Sequence, residues 1–183
     1  MKYLAFFRGI NVGGRNIVKM ADLRALLADC GFQNVATYIQ SGNVVFESGG
    51  SHEAAATLIA KRFIERFGFQ SEVVLLSADE FLTTLSEQPF TEAEISQAQA
   101  RNPKTAHLYY FLSDQNIDSD AAEQLLLSSA GEDQLKIGRR TLYLLFADSI
   151  RTSRLAASLM AFDPPLTSRN HKTMLKMREL LEK

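Results

Sequence analysis

The sequence predicts an α+β protein made of two ferredoxin-like halves, each a βαββα unit with an antiparallel sheet backed by helices. Short aromatic and β-branched runs, typical of strands, alternate with amphipathic helical patterns in the order β-α-β-β-α-β, and most of that order then recurs. The chain has 183 residues, of which 46% are hydrophobic and 22% charged. These proportions are those of globular proteins and exclude collagen-like, low-complexity and disordered chains.

The first strand is predicted at residues 3–8, a short aromatic-rich run that ends at Gly9. A glycine-rich loop follows, and then an amphipathic helix that Gly31 closes. The apolar residues of this helix recur at the spacing i, i+3, i+4, i+7: Leu23, Leu26, Leu27 and Cys30. We therefore expect Cys30 to be a buried small hydrophobic residue.

The next two strands are predicted at 35–40 and 44–47, with the hairpin signal Ser41-Gly42-Asn43 between them. Ser51 begins a second helix, which ends at Gly68. A fourth strand at 72–76 completes the order βαββαβ.

Two capping boxes then predict short helices. Ser77 with Glu80 opens the first, and Thr91 with Glu94 opens the second. We interpret residues 1–86 as the N-terminal half and residues 87–104 as a helical connector.

Residues 105–183 form the predicted C-terminal half with a terminal helix. Its first strand is predicted at 106–112, and Asp118 begins a helix that runs to Gly131. The apolar face of that helix carries Leu125, Leu126 and Ala130. A hairpin of 134–137 and 141–146 follows.

A further helix over 153–161 is predicted to stop at Pro164-Pro165. No final strand is visible in this half. The last helix begins near Asn170, with Thr167 or Ser168 as its cap.

Charge is unevenly distributed, although the net charge is only −1. Residues 1–21 contain four basic residues and no acidic one: Lys2, Arg8, Arg15 and Lys19. The stretch 77–133 is strongly acidic. A basic face of this kind attracts phosphates or carboxylates, whereas the near-neutral total argues against a protein that coats nucleic acid.

Topology brings two loops to the same edge of the first predicted sheet. The first helix returns the chain, so strands one and two run in the same direction and the segments that follow them emerge together. Both segments are rich in Gly and Asn, which tolerate positive φ and leave backbone N–H groups free for a ligand. The sequence therefore predicts an anion-binding edge lined by Arg8, Gly9, Asn11, Gly13, Gly14, Arg15, Ser41 and Asn43.

Cations near the start of the last helix oppose the helix dipole, and a bound anion would relieve that conflict. We therefore expect the second half to close the site with Arg169, Asn170 and Lys172. The alternative is that these side chains extend into water.

Two motifs resemble those of a bacterial family, domain of unknown function 1697. They are Arg-Gly-Ile-Asn-Val-Gly-Gly at 8–14, with Met20 and Leu23, and Tyr-Ile-Gln-Ser-Gly-Asn-Val-Val-Phe at 38–46, joined by Arg169-Asn170. The resemblance implies ferredoxin-like units and no activity. Members usually have Trp after the Arg-Asn pair, and the His171 found here would stack less strongly on a ligand.

No catalytic constellation is recognisable, so the sequence leaves open whether the protein is an enzyme. Gly-x-Ser-x-Gly is absent, and Ser41 has no evident base. We expect no metal site, because the three histidines are far apart and lack acids at ligand spacing: His52, His107 and His171. The cofactor and the oligomeric state are left unknown.

The first hypothesis is binding of an anionic small molecule, such as a nucleotide or a phosphorylated metabolite. The second is a single-stranded RNA-binding module on the sheet face, with bases stacked on Tyr3, Phe6, Phe7 and Phe46. The third is a protein-interaction module without a small ligand, which would expose a large apolar patch. One cysteine and no apolar run of membrane length predict a cytoplasmic protein that has no membrane partner.

Overall fold

The computed structural model describes residues 1–129 and 131–183. The chain divides into two compact units, Met1–Thr83 with Leu175–Lys183, and Thr84–Met174. The predicted α+β class is confirmed, because each unit holds a four-stranded antiparallel sheet backed by helices.

The first unit follows the predicted order βαββαβ. Its elements are β1 (Lys2–Phe7), α1 (Met20–Asp29), β2 (Gln33–Tyr38), β3 (Asn43–Glu47), α2 (His52–Phe67) and β4 (Val73–Ser77), followed by the start of α3 (Ala78–Ser86). The sheet order is β2-β3-β1-β4. Tyr3 of β1 lies opposite Phe46 of β3 on one side and Ser77 of β4 on the other. β1 and β3 are therefore neighbouring strands, as the split β-α-β order requires.

Local signals in the sequence end the elements of the first unit. Gly31 and Gly68 follow α1 and α2 with φ of 85° and 76°, the left-handed region that favours glycine. The Ser51 hydroxyl accepts from the Ala54 amide and so caps α2. The predicted capping box of Ser77 and Glu80 is confirmed by reciprocal hydrogen bonds of 2.8 and 3.2 Å.

One face of the first sheet packs on α1 and α2 to form a buried core. Phe46 stacks on Phe32, and Phe7 packs against Phe63 of α2 with ring centroids 5.2 Å apart. This packing anchors β1 and β3, the strands that adjoin the loop 8–19 and the turn 39–42, on the core.

The strand β2 differs from the predicted 35–40 range. It begins earlier, at Gln33, and its register against β3 shifts between Gln33 and Ala36. Asn34 has a φ of 53° within this bulge, and the strand ends before Ile39, whose φ is 47°. Left-handed residues interrupt the pairing at both ends, so a hydrophobic pattern alone misplaces the strand.

The second unit repeats the order of the first. It includes α4 (Glu92–Arg101), β5 (Leu108–Leu112), α5 (Ser119–Ser129), β6 (Gln134–Ile137), β7 (Thr141–Leu145), α6 (Arg154–Leu159), β8 (Thr167–Asn170) and the first residues of α7 (His171–Leu181). The sheet order is β6-β7-β5-β8, and α5 and α6 pack on one of its faces. Ala130, predicted on the apolar face of α5, lies outside the described residues.

The prediction that the second half lacks a final strand is wrong, because β8 pairs with β5 from Thr167 to Asn170. Buried and half-buried positions alternate along β8, and polar side chains occupy all four: Thr167 and Arg169 are buried, while Ser168 and Asn170 are half-buried. Hydrophobic periodicity cannot reveal such a strand. The predicted caps Thr167 and Ser168 are also wrong, since the Asn170 side chain accepts from the Thr173 amide at the start of α7.

Candidate anion-binding site

Two loops meet at one edge of the first sheet, as the topology predicts. The first connects β1 to α1 through residues 8–19, and the second is the turn 39–42 between β2 and β3. The Phe7 amide donates to the Gly42 carbonyl at 2.9 Å. We call these two segments the edge loops.

The Asn11 side chain joins the edge loops. Its Nδ2 donates to the carbonyls of Val18 and Gln40 at 2.8 and 2.7 Å, and its Oδ1 accepts from the Val18 amide at 2.8 Å. Asn11 has a φ of 55°, which asparagine tolerates better than most residues. Its amide is engaged within the protein, so Asn11 supports the loops from inside.

Gly42 makes the closest approach between the edge loops. A Cβ atom at this position would lie 2.6 Å from Ile10 Cδ1 and 2.7 Å from Phe7 Cβ. Its φ of 70° also favours glycine. The turn therefore packs directly on the chain that leaves β1, which only a residue without a side chain allows.

The outermost part of the 8–19 loop is a tight turn, Val12–Arg15, which we call the tip. The Arg15 amide donates to the Val12 carbonyl at 3.0 Å, and Gly13 and Gly14 between them have φ of 59° and 75°. Two successive positive φ values are typical of a type I′ turn. All four tip residues are exposed.

A second asparagine braces the base of the tip. The backbone amide of Asn11 donates to the backbone carbonyl of Asn16 at 3.0 Å, and the Asn16 side chain donates to the Gly9 carbonyl at 3.0 Å. The exposed turn therefore stands on a hydrogen-bonded base.

Arg8 lies beneath the loops and is paired with an acid. Its Nη1 is 2.7 Å from Glu72 Oε2, and the Arg8 side chain is 28% exposed. The Ser71 hydroxyl donates to the Arg8 carbonyl at 2.8 Å. Glu72 therefore offsets part of the positive charge that the sequence assigns to this edge.

Ser41 and Asn43 support the turn from within. Asn43 is buried, and its Nδ2 donates to the Tyr38 carbonyl at 3.1 Å and to Ser41 Oγ at 2.9 Å. Their predicted role as ligand contacts stays a prediction; the hydrogen bonds they make here shape the turn.

Sequence reasoning missed three exposed branched side chains on the edge loops. Val12, Ile17 and Ile39 are 65%, 63% and 51% exposed. Large apolar residues within a polar, glycine-rich loop were the available signal.

The other three predicted residues belong to the second unit. Arg169 is buried on β8, and its Nη1 donates to Thr167 Oγ1 at 3.0 Å and to the Ser168 carbonyl at 2.8 Å. Burial lowers the pKa of this guanidinium to about 10. Asn170 caps α7, and Lys172 is exposed. Their predicted contribution to the anion site stays a prediction.

A hydrogen-bonded tyrosine–histidine pair in the second unit was also missed. The hydroxyl of buried Tyr110 on β5 and Nδ1 of half-buried His171 are hydrogen-bonded at 2.8 Å, and the two rings are nearly parallel, at 10°. Burial raises the pKa of Tyr110 far above its usual value and that of Tyr143, its neighbour on β7, to about 12. Both phenols therefore keep their protons well into the alkaline range, and the Tyr143 hydroxyl donates to the Thr84 carbonyl at 3.0 Å.

The Cys30 thiol and the His107 ring, side chains of the kinds that take part in catalysis or metal binding, have structural roles here. Burial raises the pKa of the Cys30 thiol, which disfavours the reactive thiolate. The ring of buried His107 lies between two carbonyls, 2.7 Å from that of Phe146 and 2.9 Å from that of Asn102. Within the described residues, no three His, Cys, Asp or Glu side chains are grouped so as to hold a metal ion.

A polar cavity of about 380 Å³ lies in the second unit. Its lining includes the hydroxyl and carboxylate groups of Ser129, Asp133, Asp148 and Ser153, together with Arg154. Asp133 is already engaged, because it accepts from Ser153 Oγ at 2.6 Å and from the Ala147 amide at 2.9 Å. The carboxylates of Asp133 and Asp148 place negative charge in this lining, which disfavours an anionic ligand there.

None of the helices in the described ranges is long and apolar enough to cross a membrane.

Comparison with known proteins identifies a matching family and similar solved structures. The family model described as Protein of unknown function (DUF1697) matches residues 1–143. Among solved structures, the conserved bacterial protein SP0830 from Streptococcus pneumoniae is 25% identical, with a TM-score of 0.76 and 98% of each chain covered. No curated protein matches the sequence.

Proposed function

Because the chain belongs to the family described as Protein of unknown function (DUF1697), whose description assigns no activity, we propose a function from the geometry of the edge loops. The protein binds an anionic small molecule, such as a nucleotide or a phosphorylated metabolite, at the Val12–Arg15 tip.

The observation that carries this proposal is the exposed Gly13-Gly14 pair beside Arg15. Within the described part of the chain, neither glycine amide donates to a protein acceptor, and the Arg15 guanidinium makes no ion pair. Consecutive amides in a positive-φ turn form a concave donor surface that suits anionic oxygens. A guanidinium at its end adds bidentate contacts to phosphate or carboxylate.

The rigidity of the tip supports the same function. Asn11 and Asn16 fix the loop before any ligand arrives, so binding orders few further residues. A binding loop that is already ordered loses less entropy on binding, which raises affinity.

The positive charge of the N-terminal segment also favours binding of an anion. Lys19 is exposed at the end of the loop, and no acid occurs in residues 1–21. Glu72 pairs with Arg8, and its negative charge lowers the positive electrostatic potential around Arg8.

No observation favours RNA binding on the first sheet. The aromatic residues that would stack on bases are at most 2% exposed: Tyr3, Phe6, Phe7 and Phe46. Phe6 stacks on Phe81 of α3, and the other three belong to the core under α1 and α2. Stacking needs an open ring face.

A thermal-shift panel at low ionic strength tests the proposal with pyrophosphate, ATP, glucose 6-phosphate and citrate. A ligand at 100 times its Kd stabilises the folded state by about 2.7 kcal/mol, which raises Tm by roughly 5–10 °C for a chain of this size. We expect at least one of these anions to give such a shift.

Arg15→Ala locates the binding. Loss of one charged hydrogen bond costs about 1.5–3 kcal/mol, so affinity falls roughly 10- to 150-fold. Arg62→Ala is the matched control, because Arg62 is an exposed arginine on α2 that pairs with Glu65. Binding that is the same in Arg15→Ala and wild type, or the absence of binding to every anion tested, would overturn the proposal.

A further inference from the structure

Three exposed aliphatic residues of the edge loops are each next in sequence to a residue that takes part in the hydrogen bonds of Asn11. Val12 follows Asn11 in the chain, while Ile17 and Ile39 precede Val18 and Gln40, the residues whose carbonyls Asn11 holds. Both carbonyl oxygens lie within 2.8 Å of the same Nδ2 atom. The hydrogen bonds of Asn11 therefore hold together the backbone segments that carry Val12, Ile17 and Ile39, and we call these three exposed residues the apolar patch.

Ile39 is in an unfavourable conformation. In the described residues, the non-glycine positions with positive φ are Asn11, Asn16, Asn34 and Ile39, so Ile39 alone is not an asparagine. A β-branched side chain is penalised at its φ of 47°. Half of its side chain is exposed, so burial does not offset the strain. Neither local conformation nor core packing explains an isoleucine here.

Contact with an apolar part of a ligand explains both the exposed aliphatic residues and the isoleucine at a strained backbone position. We propose that the anion bound at the tip is amphipathic: an organic phosphate or carboxylate with a flexible aliphatic portion. The anionic group binds the Gly13 and Gly14 amides and Arg15, and the aliphatic portion packs on Val12, Ile17 and Ile39. This inference rests on the proposed function and adds the chemical class of the ligand.

A soluble ligand fits the patch better than a lipid bilayer does. Stable anchoring to a membrane requires far more buried apolar surface than three partly exposed side chains provide, since even one fatty acyl chain gives only marginal binding. A short aliphatic chain, in contrast, matches three branched side chains in size.

Alkyl phosphates below the concentration at which they form micelles test the inference, with affinity measured by calorimetry. The probes are inorganic phosphate, ethyl phosphate and hexyl phosphate, and vesicles that contain phosphatidic acid are measured separately. A fully buried methylene strengthens binding by about 4-fold, so four additional methylenes on a partly open patch give roughly 10-fold or more. We expect hexyl phosphate to bind wild type at least about 10-fold more tightly than ethyl phosphate.

Ile39→Asn separates function from folding. Asparagine already occupies this backbone region at Asn11, Asn16 and Asn34, so the variant loses strain and its Tm rises. We expect Ile39→Asn to lose most of the gain from the hexyl chain, measured as the ratio of the hexyl phosphate affinity to the ethyl phosphate affinity. Leu127→Gln is the control, because Leu127 is an 88% exposed apolar residue of the second unit.

The outcomes are distinguishable. Equal binding of ethyl and hexyl phosphate to wild type overturns this inference and leaves the proposed function standing. A hexyl gain that Ile39→Asn retains also overturns it, as does binding only to vesicles that contain phosphatidic acid. Failure of all three phosphates to bind overturns this inference, and the proposed function falls with it when every anion of the thermal-shift panel also fails to bind.

Discussion

Asn11 Nδ2 donates to the Gln40 carbonyl at 2.7 Å and so ties the loop after β1 to the turn before β3. Two segments far apart in sequence thereby form one rigid edge. The side-chain amide of Asn11 also makes two hydrogen bonds to the backbone of Val18. The same side chain therefore joins the two ends of the 8–19 loop as well.

Asn11→Ala should lower the free energy of unfolding by about 2–4 kcal/mol, because three hydrogen bonds are lost and the φ of 55° becomes less favourable. Urea denaturation measures the change. Asn16→Ala is the control, since Asn16 has a similar φ of 52° and its side chain donates one hydrogen bond, to Gly9. If Asn11→Ala is no more destabilising than Asn16→Ala, Asn11 does not tie the loops.

Gly42→Ala should destabilise the protein by about 2–4 kcal/mol, because its methyl group would overlap Ile10 and Phe7 in addition to being strained. Gly14→Ala has a similar positive φ but open space around the new methyl, so only the conformational cost of about 1 kcal/mol applies. Equal losses in Tm for the two variants would show that the edge loops do not pack closely.

Arg8 and Glu72 should have opposite effects on anion binding. Glu72→Gln removes the paired negative charge, so the affinity for pyrophosphate should rise several-fold at low salt, whereas Arg8→Ala should lower it. Fold stability should change by less than about 1 kcal/mol in each variant, because the pair is partly exposed. Titration calorimetry at two salt concentrations measures both effects, and a Glu72→Gln variant that binds more weakly would contradict the assignment.

The buried tyrosines predict loss of stability in alkali. Burial raises the pKa of Tyr143 to about 12 in the folded state, above its usual value of 10, and the nearby Glu87 charge adds to the shift. The folded state therefore holds the proton more tightly, so this stability is complete below pH 10 and is lost as pH rises towards 12. Urea unfolding at several pH values should show a smaller loss over this range for Tyr143→Phe than for wild type. Equal losses would contradict the shift.

Much of the fold is predictable because its signals are local. The capping boxes at Ser77 and Thr91 mark helix starts by side-chain hydrogen bonds to amides three residues away. Gly31 and Gly68 mark helix ends through positive φ. The predicted meeting of the edge loops follows from connectivity alone, because a helix between two strands makes them run in the same direction.

The features that were missed depend on side chains that meet only after folding. β8 is polar, and its pairing with β5 places Arg169 opposite Tyr110, which no periodicity in the sequence reveals. Asn11 and Asn43 are predicted as ligand contacts from residue type, yet their side-chain amides hydrogen-bond to the backbone carbonyls of Gln40 and Tyr38. Residue type indicates where polar chemistry lies, and tertiary contacts decide which atoms are already engaged.

The central claim is that the Gly13 and Gly14 amides bind an anion, and an amide-resolved NMR titration with pyrophosphate tests it most directly. In a spectrum of ¹⁵N-labelled protein, the Gly13, Gly14 and Arg15 amides should shift progressively and saturably, since hydrogen bonding to an anion changes their environment. The same titration of Arg15→Ala should require a roughly 10- to 150-fold higher concentration. Unchanged tip amides at saturating pyrophosphate, or shifts confined to other parts of the protein, would contradict the claim.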